Sequence, residues 1–195
     1  MTTPPRRLRA DAGRNRARVL DAAVGLFADR GDEVQMAEVA RAAGVGVGTV
    51  YRHFPTRQAL IEAVAERRFL EILEFARTKC AEAATGREAV RYLLLQVGRV
   101  HEEGRTLSNL IESALGDTAP RGRIKNDLRD LGTGLVDQGK ADGSLRSDVT
   151  FDDLYMVVGA LATVARANLG DWHRFVDIVL AGLGPENDRA GSSDR

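Results

Sequence analysis

The sequence has little cysteine, few aromatic residues and no long apolar run. Its single cysteine, Cys80, excludes an intramolecular disulfide framework and a multi-cysteine zinc site, and is interpreted as a buried or half-buried thiol. An aromatic content of 5% argues against a large aromatic cage for flat cationic ligands. No apolar stretch approaches the roughly 18 residues that a membrane span needs, and the Arg-rich start lacks the apolar core of a signal peptide. We therefore expect a cytoplasmic protein.

Sequence patterns of the common catalytic sites are also missing. The three histidines show no metal-ligand spacing, and no nucleophile motif surrounds a serine or the cysteine. Gly44-x-Gly46-x-Gly48 superficially resembles a phosphate-binding loop, but it follows a predicted helix, whereas such a loop follows a strand. An enzyme is therefore the disfavoured interpretation, and the sequence predicts no cofactor and no metal site.

The net charge of zero conceals an uneven distribution. Through Arg57 the chain has ten basic and six acidic residues, a net charge of +4, and the remainder carries −4. A basic end on an acidic body is typical of a protein that presents one end to phosphate.

Apolar residues recur at helical spacing along the chain, and no strand alternation is visible. The spacing predicts four N-terminal helices, over about 13–30, 36–43, 47–54 and 56–84. Five more helices are predicted over 87–103, 106–115, 124–141, 151–169 and 172–183. The fold class is therefore all-α, with about nine helices.

Both ends of the chain lack core residues. Residues 1–12 are interpreted as a flexible basic arm, either merely solvated or touching DNA, and residues 185–195 as a disordered tail. Arg14, Arg16 and Arg18 occupy the first turns of the first helix, where positive charge opposes the helix dipole. This placement indicates an external anion such as phosphate, or plain surface charge.

Residues 35–54 have the pattern of a helix-turn-helix unit. Gly44 can adopt the positive φ of a tight turn after the helix Met36–Ala43. Val45 is the apolar plug between the helices, Gly46 is a tolerable N-cap for the next one, and Pro55 stops it.

The segment Val19-Leu-Asp-Ala-Ala, then Ala43-Gly-Val, and above all Thr49-Val-Tyr-Arg-His-Phe-Pro55, resembles the N-terminal domain of TetR-family transcriptional regulators. The resemblance spans about fifty consecutive positions without a gap, whereas the C-terminal two-thirds resembles the family only in helical layout. Two residues depart from the pattern. Gln35 replaces the usual Thr or Ser N-cap, which weakens that helix start, and Arg57 replaces the usual Lys.

The resemblance implies an N-terminal three-helix helix-turn-helix domain (13–72), joined by a long helix to a helical ligand-binding and dimerisation domain (73–184). It further implies a homodimer formed by the last two helices, about 151–183, and a repressor released from its operator by a small-molecule effector. The alternative is an architectural DNA-binding regulator that has no effector.

The outward side chains of the second helix of the motif are the candidates for reading base edges. Val47 could contact a thymine methyl, Thr49 a base or phosphate, and Arg52 a guanine, while Gly48 allows close approach of the backbone. Arg41, on the preceding helix, is a further candidate, although a surface position is the plainer interpretation.

By resemblance, Tyr51, His53 and Arg57 contact phosphates. The alternatives are a core position for Tyr51, with its hydroxyl at the rim, and a capping or packing role for His53.

One such helix contacts only a few base pairs, so a two-fold dimer on a pseudo-palindromic double-stranded operator is expected. Small residues that permit close helix approach at the dimer surface are Gly159, Ala160, Ala162, Thr163 and Ala167. Larger apolar residues that supply area are Leu161, Val164, Phe175, Ile178, Val179 and Leu183. The alternative is that these residues form intramolecular core.

The effector pocket is assigned to polar or aromatic residues within apolar helices. These are Phe69, Leu73, Tyr92, Gln96, His101, Asn109 and Tyr155. Ordinary core or surface is the alternative for each of them.

Overall fold

A computed structural model describes residues 6–116 and 119–185, with side chains from residue 11 onward. Over these residues every regular element is a helix and there is no strand, which confirms the predicted all-α class. The helices are α1 (Arg6–Arg30), α2 (Met36–Ala43), α3 (Val47–His53), α4 (Arg57–Lys79), α5 (Gly86–Glu103), α6 (Arg105–Leu115), α7 (Gly122–Ala141), α8 (Phe151–Ala167) and α9 (Trp172–Leu183). Short 3₁₀ turns occupy Gly31–Glu33 and Cys80–Glu82. None of the described helices combines the length and apolar character that crossing a bilayer requires.

The first helix begins earlier than predicted. Residues 6–12, interpreted above as part of a flexible arm, belong to α1. No helix-breaking residue lies between Pro5 and Gly13, and the Arg, Leu and Ala residues there are strong helix formers. The rest of the predicted arm, residues 1–5, and the predicted tail from 186 onward lie outside the described residues.

The long helix α4 ends earlier than predicted, at Lys79 rather than near Ala84. The chain tightens there into the 3₁₀ turn that begins at Cys80. The Cys80 thiol is buried and donates a hydrogen bond to the carbonyl of Ala89 at 3.3 Å. Burial raises the pKa of this thiol to about 11, so it stays protonated at neutral pH.

The described residues form two compact units. The first comprises residues 6–67 and 105–116, and the second comprises 68–104 and 119–185. This division differs from the predicted boundaries of 13–72 and 73–184, because α6 packs against α1. The apolar face of α6, with Leu107, Leu110 and Ile111, is buried.

The second unit is organised around α5. Helices α7, α8 and α9 all pack against it. The core includes Leu94 of α5, Leu161 of α8 and Val176 of α9, which are fully buried. Helix α8 starts at the predicted capping box, where the Thr150 hydroxyl accepts from the Asp153 N–H at 3.2 Å and the Asp153 carboxylate accepts from the Thr150 N–H at 2.8 Å.

Candidate nucleic-acid interface

The turn between α2 and α3 depends on Gly44. Its φ of 63° and ψ of 40° lie in the left-handed region that favours glycine. The N–H of Val45 donates to the carbonyl of Ala40 at 3.0 Å, and that of Gly44 to the carbonyl of Arg41 at 3.1 Å. This pair of bonds satisfies the last carbonyls of α2 and fixes the direction in which the chain enters α3.

Helix α3 is anchored on one side and open on the other. Val50 and Phe54 are buried in the first unit. Val47 and Tyr51, four residues apart and therefore on one face, are 46% and 47% exposed. Gly48 and Arg52 are also exposed, whereas Thr49 and His53 are half-buried. Four of the six DNA contacts predicted on α3 are therefore exposed, and Tyr51 is not a core residue.

The start of α2 is stabilised by a group that the N-cap pattern alone did not reveal. The Glu38 carboxylate accepts a hydrogen bond from the backbone N–H of Gln35 at 2.9 Å. Glutamate makes the same bond in a capping box that begins with Thr or Ser, so this half of the box does not depend on the residue at position 35. The same carboxylate pairs in two-pronged fashion with Arg30, at 2.9 and 3.1 Å. The Arg30 hydrogen bond, followed by that from Gln35, holds the pKa of Glu38 below its usual range. Arg41, one turn further along α2, is exposed.

The Arg57 side chain makes several contacts within its own protomer. Its guanidinium donates to the carbonyl of Asp32 at 3.0 Å and to that of Val34 at 3.4 Å, and it pairs with the Asp32 carboxylate at 3.0 Å. The same group lies over the ring of Phe27, 5.4 Å from its centroid. Arg57 therefore ties the start of α4 to the segment that joins α1 to α2. A phosphate contact from this residue stays a prediction.

We expect Arg57→Lys to weaken DNA binding almost as much as Arg57→Ala, about 10-fold, because a lysine ammonium cannot reproduce the planar fork that binds Asp32 and Val34 together. The measurement is fluorescence anisotropy with a labelled duplex at fixed salt. If Arg57→Lys binds DNA with wild-type affinity, the positive charge of this residue matters for phosphate contact and the geometry of its guanidinium does not.

Two arginines of α1 contact the helix-turn-helix unit. The Arg16 guanidinium lies over the ring of Phe54, 5.1 Å from its centroid. Arg18 donates to the carbonyl of Gly44 at 3.4 Å. The sequence signalled them only by their unfavourable place in the first turns of a helix, and did not indicate which residues they contact. Arg14, by contrast, pairs with Asp11 within α1.

The residues predicted to bind an effector are only partly brought together. Leu73, Gln96 and His101 are buried and Phe69 and Tyr92 are half-buried, all in the second unit. Asn109 is exposed and belongs to the first unit, because α6 turns its apolar residues inward. Tyr155 is 43% exposed on α8, because the core side of that helix is occupied by Leu154 and Leu161.

Two of these polar groups already have partners in the protein. The Tyr92 hydroxyl donates to Glu88 at 2.8 Å, and the Gln96 side-chain oxygen accepts from Arg99 at 2.8 Å. An open groove of about 270 Å³ lies between α5 and α9, and none of the predicted effector residues lines it.

Helices α8 and α9 leave apolar surface exposed. Met156 is 67% and Ile178 is 56% exposed. Four of the small residues predicted for the dimer surface are also exposed: Gly159, Ala160, Thr163 and Ala167. Leu161 and Ala162 were expected on the same surface but are buried, since they face the core of their own protomer. Val164, Phe175, Val179 and Leu183 are half-buried against that core.

Known proteins match both parts of the chain. A model described as bacterial regulatory proteins of the tetR family matches residues 19–64, and one described as the C-terminal domain of SbtR-like transcriptional regulators matches residues 72–185. The HTH-type transcriptional repressor KstR2 of Mycolicibacterium smegmatis is 28% identical over 156 residues, which cover 73% of each chain.

Solved structures agree with these matches. The TetR transcription regulatory protein from Mycobacterium vanbaalenii is 34% identical, with a TM-score of 0.63, and the match covers 91% of this chain and 99% of that one. The TetR regulator SCO0520 from Streptomyces coelicolor is 28% identical, with a TM-score of 0.63 and coverage of 88% and 99%. These relatives are transcriptional regulators and not enzymes. The chain belongs to the TetR family of DNA-binding transcriptional regulators.

Proposed function

We propose that this chain is a homodimeric repressor that places α3 of each protomer in the major groove of a pseudo-palindromic operator. A small-molecule effector bound by the second unit releases it. The observation that carries the DNA-binding part is the exposed face of α3, where Val47, Tyr51 and Arg52 project while Val50 and Phe54 are fixed in the core. Exposed apolar side chains can contact the methyl groups of thymine, and a neighbouring cation can bind phosphate oxygens.

Within this face, the residues differ in the contacts that their chemistry allows. Arg52 is the residue of α3 able to make a bidentate contact with guanine. Val47 offers an apolar contact to a thymine methyl, and Thr49 a hydroxyl at the edge of the face. Tyr51 and His53 are assigned to phosphates, where they fix the register of α3 but read no sequence.

We expect Arg52→Ala to relax base preference at one operator position, by about 1–3 kcal/mol of lost discrimination. Tyr51→Ala should instead raise the Kd by the same factor for the operator and for each of its variants, because a phosphate contact is independent of sequence. Titrations against an operator and its single-base variants measure both effects. Arg123→Ala, which alters a side chain 92% exposed on α7, is the matched control and should leave both quantities unchanged. An intact base preference in Arg52→Ala would contradict its assignment to direct readout.

Dimerisation through α8 and α9 is supported by the exposed apolar residues Met156 and Ile178 and by the small residues between them. Small side chains allow helix backbones to approach closely, so that the larger neighbours can bury their area. A dimer is also what recognition requires, because one α3 spans too few base pairs to select a site in a genome.

Release by an effector is supported by the buried polar side chains of the second unit. Gln96, His101 and the indole of Trp172 lie among apolar residues of α5, α8 and α9. A coupling free energy of about 1–3 kcal/mol between effector and operator would lower DNA affinity roughly 5- to 150-fold. That range is sufficient for induction.

A further inference from the structure

Two arginines of α1 flank the point at which this helix enters the core of the first unit. From Asp11 to Arg18 no side chain of α1 is buried, and Val19 is the first that is, at 0% exposure. An α-helix turns by about 100° per residue, so Arg16 and Arg18 project on either side of the Val19 face, about 160° apart around the helix axis. Both arginine side chains are exposed.

Each of these arginines lies against one end of α3. The bond from Arg18 to the Gly44 carbonyl, at 3.4 Å, is made two residues before Gly46, the N-cap of α3. A Cβ at Gly44 would lie 2.6 Å from the same guanidinium. Arg16 lies over the ring of Phe54, the C-cap of α3, at 5.1 Å from its centroid. Helix α3 therefore has one guanidinium beside its start and another beside its end.

The charges of these two side chains are not neutralised within the described residues. Arg14, on the same helix, pairs with Asp11, whereas neither Arg16 nor Arg18 pairs with a carboxylate in the part of the chain that the structure describes. A guanidinium has five N–H donors. Arg18 uses one of them, in a long bond to a neutral carbonyl, and Arg16 donates to no acceptor among the described residues. Both groups therefore retain charge and donors for an anion outside the chain.

The dimensions of α3 bring both of its ends near DNA phosphates. The helix has seven residues and is therefore about 10 Å long, whereas the major groove is about 12 Å wide. A sugar–phosphate backbone forms each wall of that groove, so groups beside the ends of α3 lie within reach of a wall. Guanidinium groups can bind phosphate oxygens bidentately. The contacts with Gly44 and Phe54 hold both side chains in place before binding, which reduces the entropy lost when DNA binds.

We propose that Arg16 and Arg18 bind phosphates of the operator backbone, one beside each end of α3. This inference rests on the proposed placement of α3 in the major groove. It adds α1 to the phosphate-binding elements of the chain, beside Tyr51 and His53 of α3. Because a phosphate contact carries no sequence information, the two arginines increase affinity and fix the register of α3 without changing base preference.

The test measures how DNA binding by the full chain depends on salt. Each phosphate that a cation neutralises contributes about −0.9 to the slope of log K against log salt concentration, because counterions are released. We expect the slopes of Arg16→Gln and Arg18→Gln each to be shallower by about 0.9 per protomer, and that of the double variant by about 1.8. Anisotropy titrations at a series of salt concentrations, with a duplex that the wild-type chain selects from a random-sequence pool, give these slopes.

Arg14→Gln is the matched control. It removes the same charge from an exposed position of the same helix, but Arg14 pairs with Asp11 within α1. Its slope should therefore equal that of the wild-type chain. Replacing both Arg16 and Arg18 with lysine keeps the two charges and should keep the slope. Titrations of the glutamine double variant against single-base variants of the duplex should show an unchanged base preference, because only phosphate contacts are lost.

A glutamine double variant whose slope equals that of Arg14→Gln would overturn the inference. So would weaker binding with a wild-type slope and an altered base preference, since the two arginines would then support α3 without touching DNA. If circular dichroism shows that the double variant does not fold, the single variants decide by the same criteria. If the wild-type chain selects no duplex, the proposed function is contradicted, and the slopes are measured with a duplex of arbitrary sequence. Unchanged slopes on a selected duplex contradict only the inference.

Discussion

Replacing Gly48 with glutamate is expected to abolish specific DNA binding while leaving the protein folded. Gly48 lies on the exposed face of α3, and a Cβ there would meet nothing within 4 Å. The helix itself should tolerate the change, because glutamate has a higher helix propensity than glycine by roughly 0.5–1 kcal/mol. In the major groove, however, the carboxylate would approach the phosphates and the acceptor edges of the bases. Juxtaposed like charges cost several kcal/mol, so we expect an affinity loss of at least about 100-fold.

Anisotropy titrations with a selected duplex measure this loss, and thermal unfolding measures the stability of the variant. Gly25→Glu is the matched control, because Gly25 is also an exposed helical glycine of the first unit with nothing within 4 Å of an added Cβ. It lies on α1, two turns beyond Arg18, and should bind DNA with wild-type affinity. Near-wild-type affinity in Gly48→Glu would place the DNA-binding face elsewhere than on α3.

The second large effect is expected from Met156→Glu on α8. This side chain is 67% exposed, so the protomer loses little packing. In the proposed dimer, the two-fold axis would bring two new carboxylates into one interface with no cation to pair with, and a buried unpaired charge costs several kcal/mol. We expect the variant to be a folded monomer at micromolar concentration. Its operator affinity should fall by at least about 100-fold, because a single α3 lacks the second half-site.

Sedimentation velocity at several concentrations measures the oligomeric state. Leu70→Glu provides the control, since Leu70 is a similarly exposed apolar residue, at 47%, but lies on α4. It should remain a dimer with unchanged DNA affinity. A Met156→Glu variant that remains a dimer would contradict the role of α8 in assembly. A wild-type chain that is monomeric and still binds the operator specifically would contradict it as well.

The sequence predicted the helix-turn-helix unit well because its determinants are local. A glycine in the left-handed region, a proline after α3 and apolar residues at helical spacing act over a few residues each. Those signals sufficed to place α2 and α3 and the exposed residues Val47, Gly48 and Arg52. They also sufficed for the capping box at Thr150, where the partners are three residues apart.

The contacts that the sequence did not reveal join residues far apart in the chain. Arg57 contacts Asp32 and Val34, more than twenty positions away, and Arg18 reaches Gly44. Arg68 binds Val100. A charged residue in a sequence indicates a solvated face by default, and only the packing of helices shows which of them meets a carbonyl or a ring.

The faces of α8 were difficult to assign for a related reason. This helix is apolar nearly all round, so its periodicity does not separate core from interface. Leu161 was predicted for the dimer surface, with intramolecular core as the alternative, and Met156 was not singled out, yet the structure buries Leu161 and exposes Met156. The placement of α6 in the first unit was equally hidden, since an apolar face does not specify the element that covers it.

The central claim is that two copies of α3, related by a two-fold axis, read a DNA sequence. It is tested most directly by selecting duplexes from a random-sequence pool with the full chain and sequencing those that are retained. The proposed function predicts an inverted repeat whose half-sites are centred about 34–36 Å apart or a multiple of that distance. Enrichment of no sequence, or of a sequence without two-fold symmetry, would contradict it.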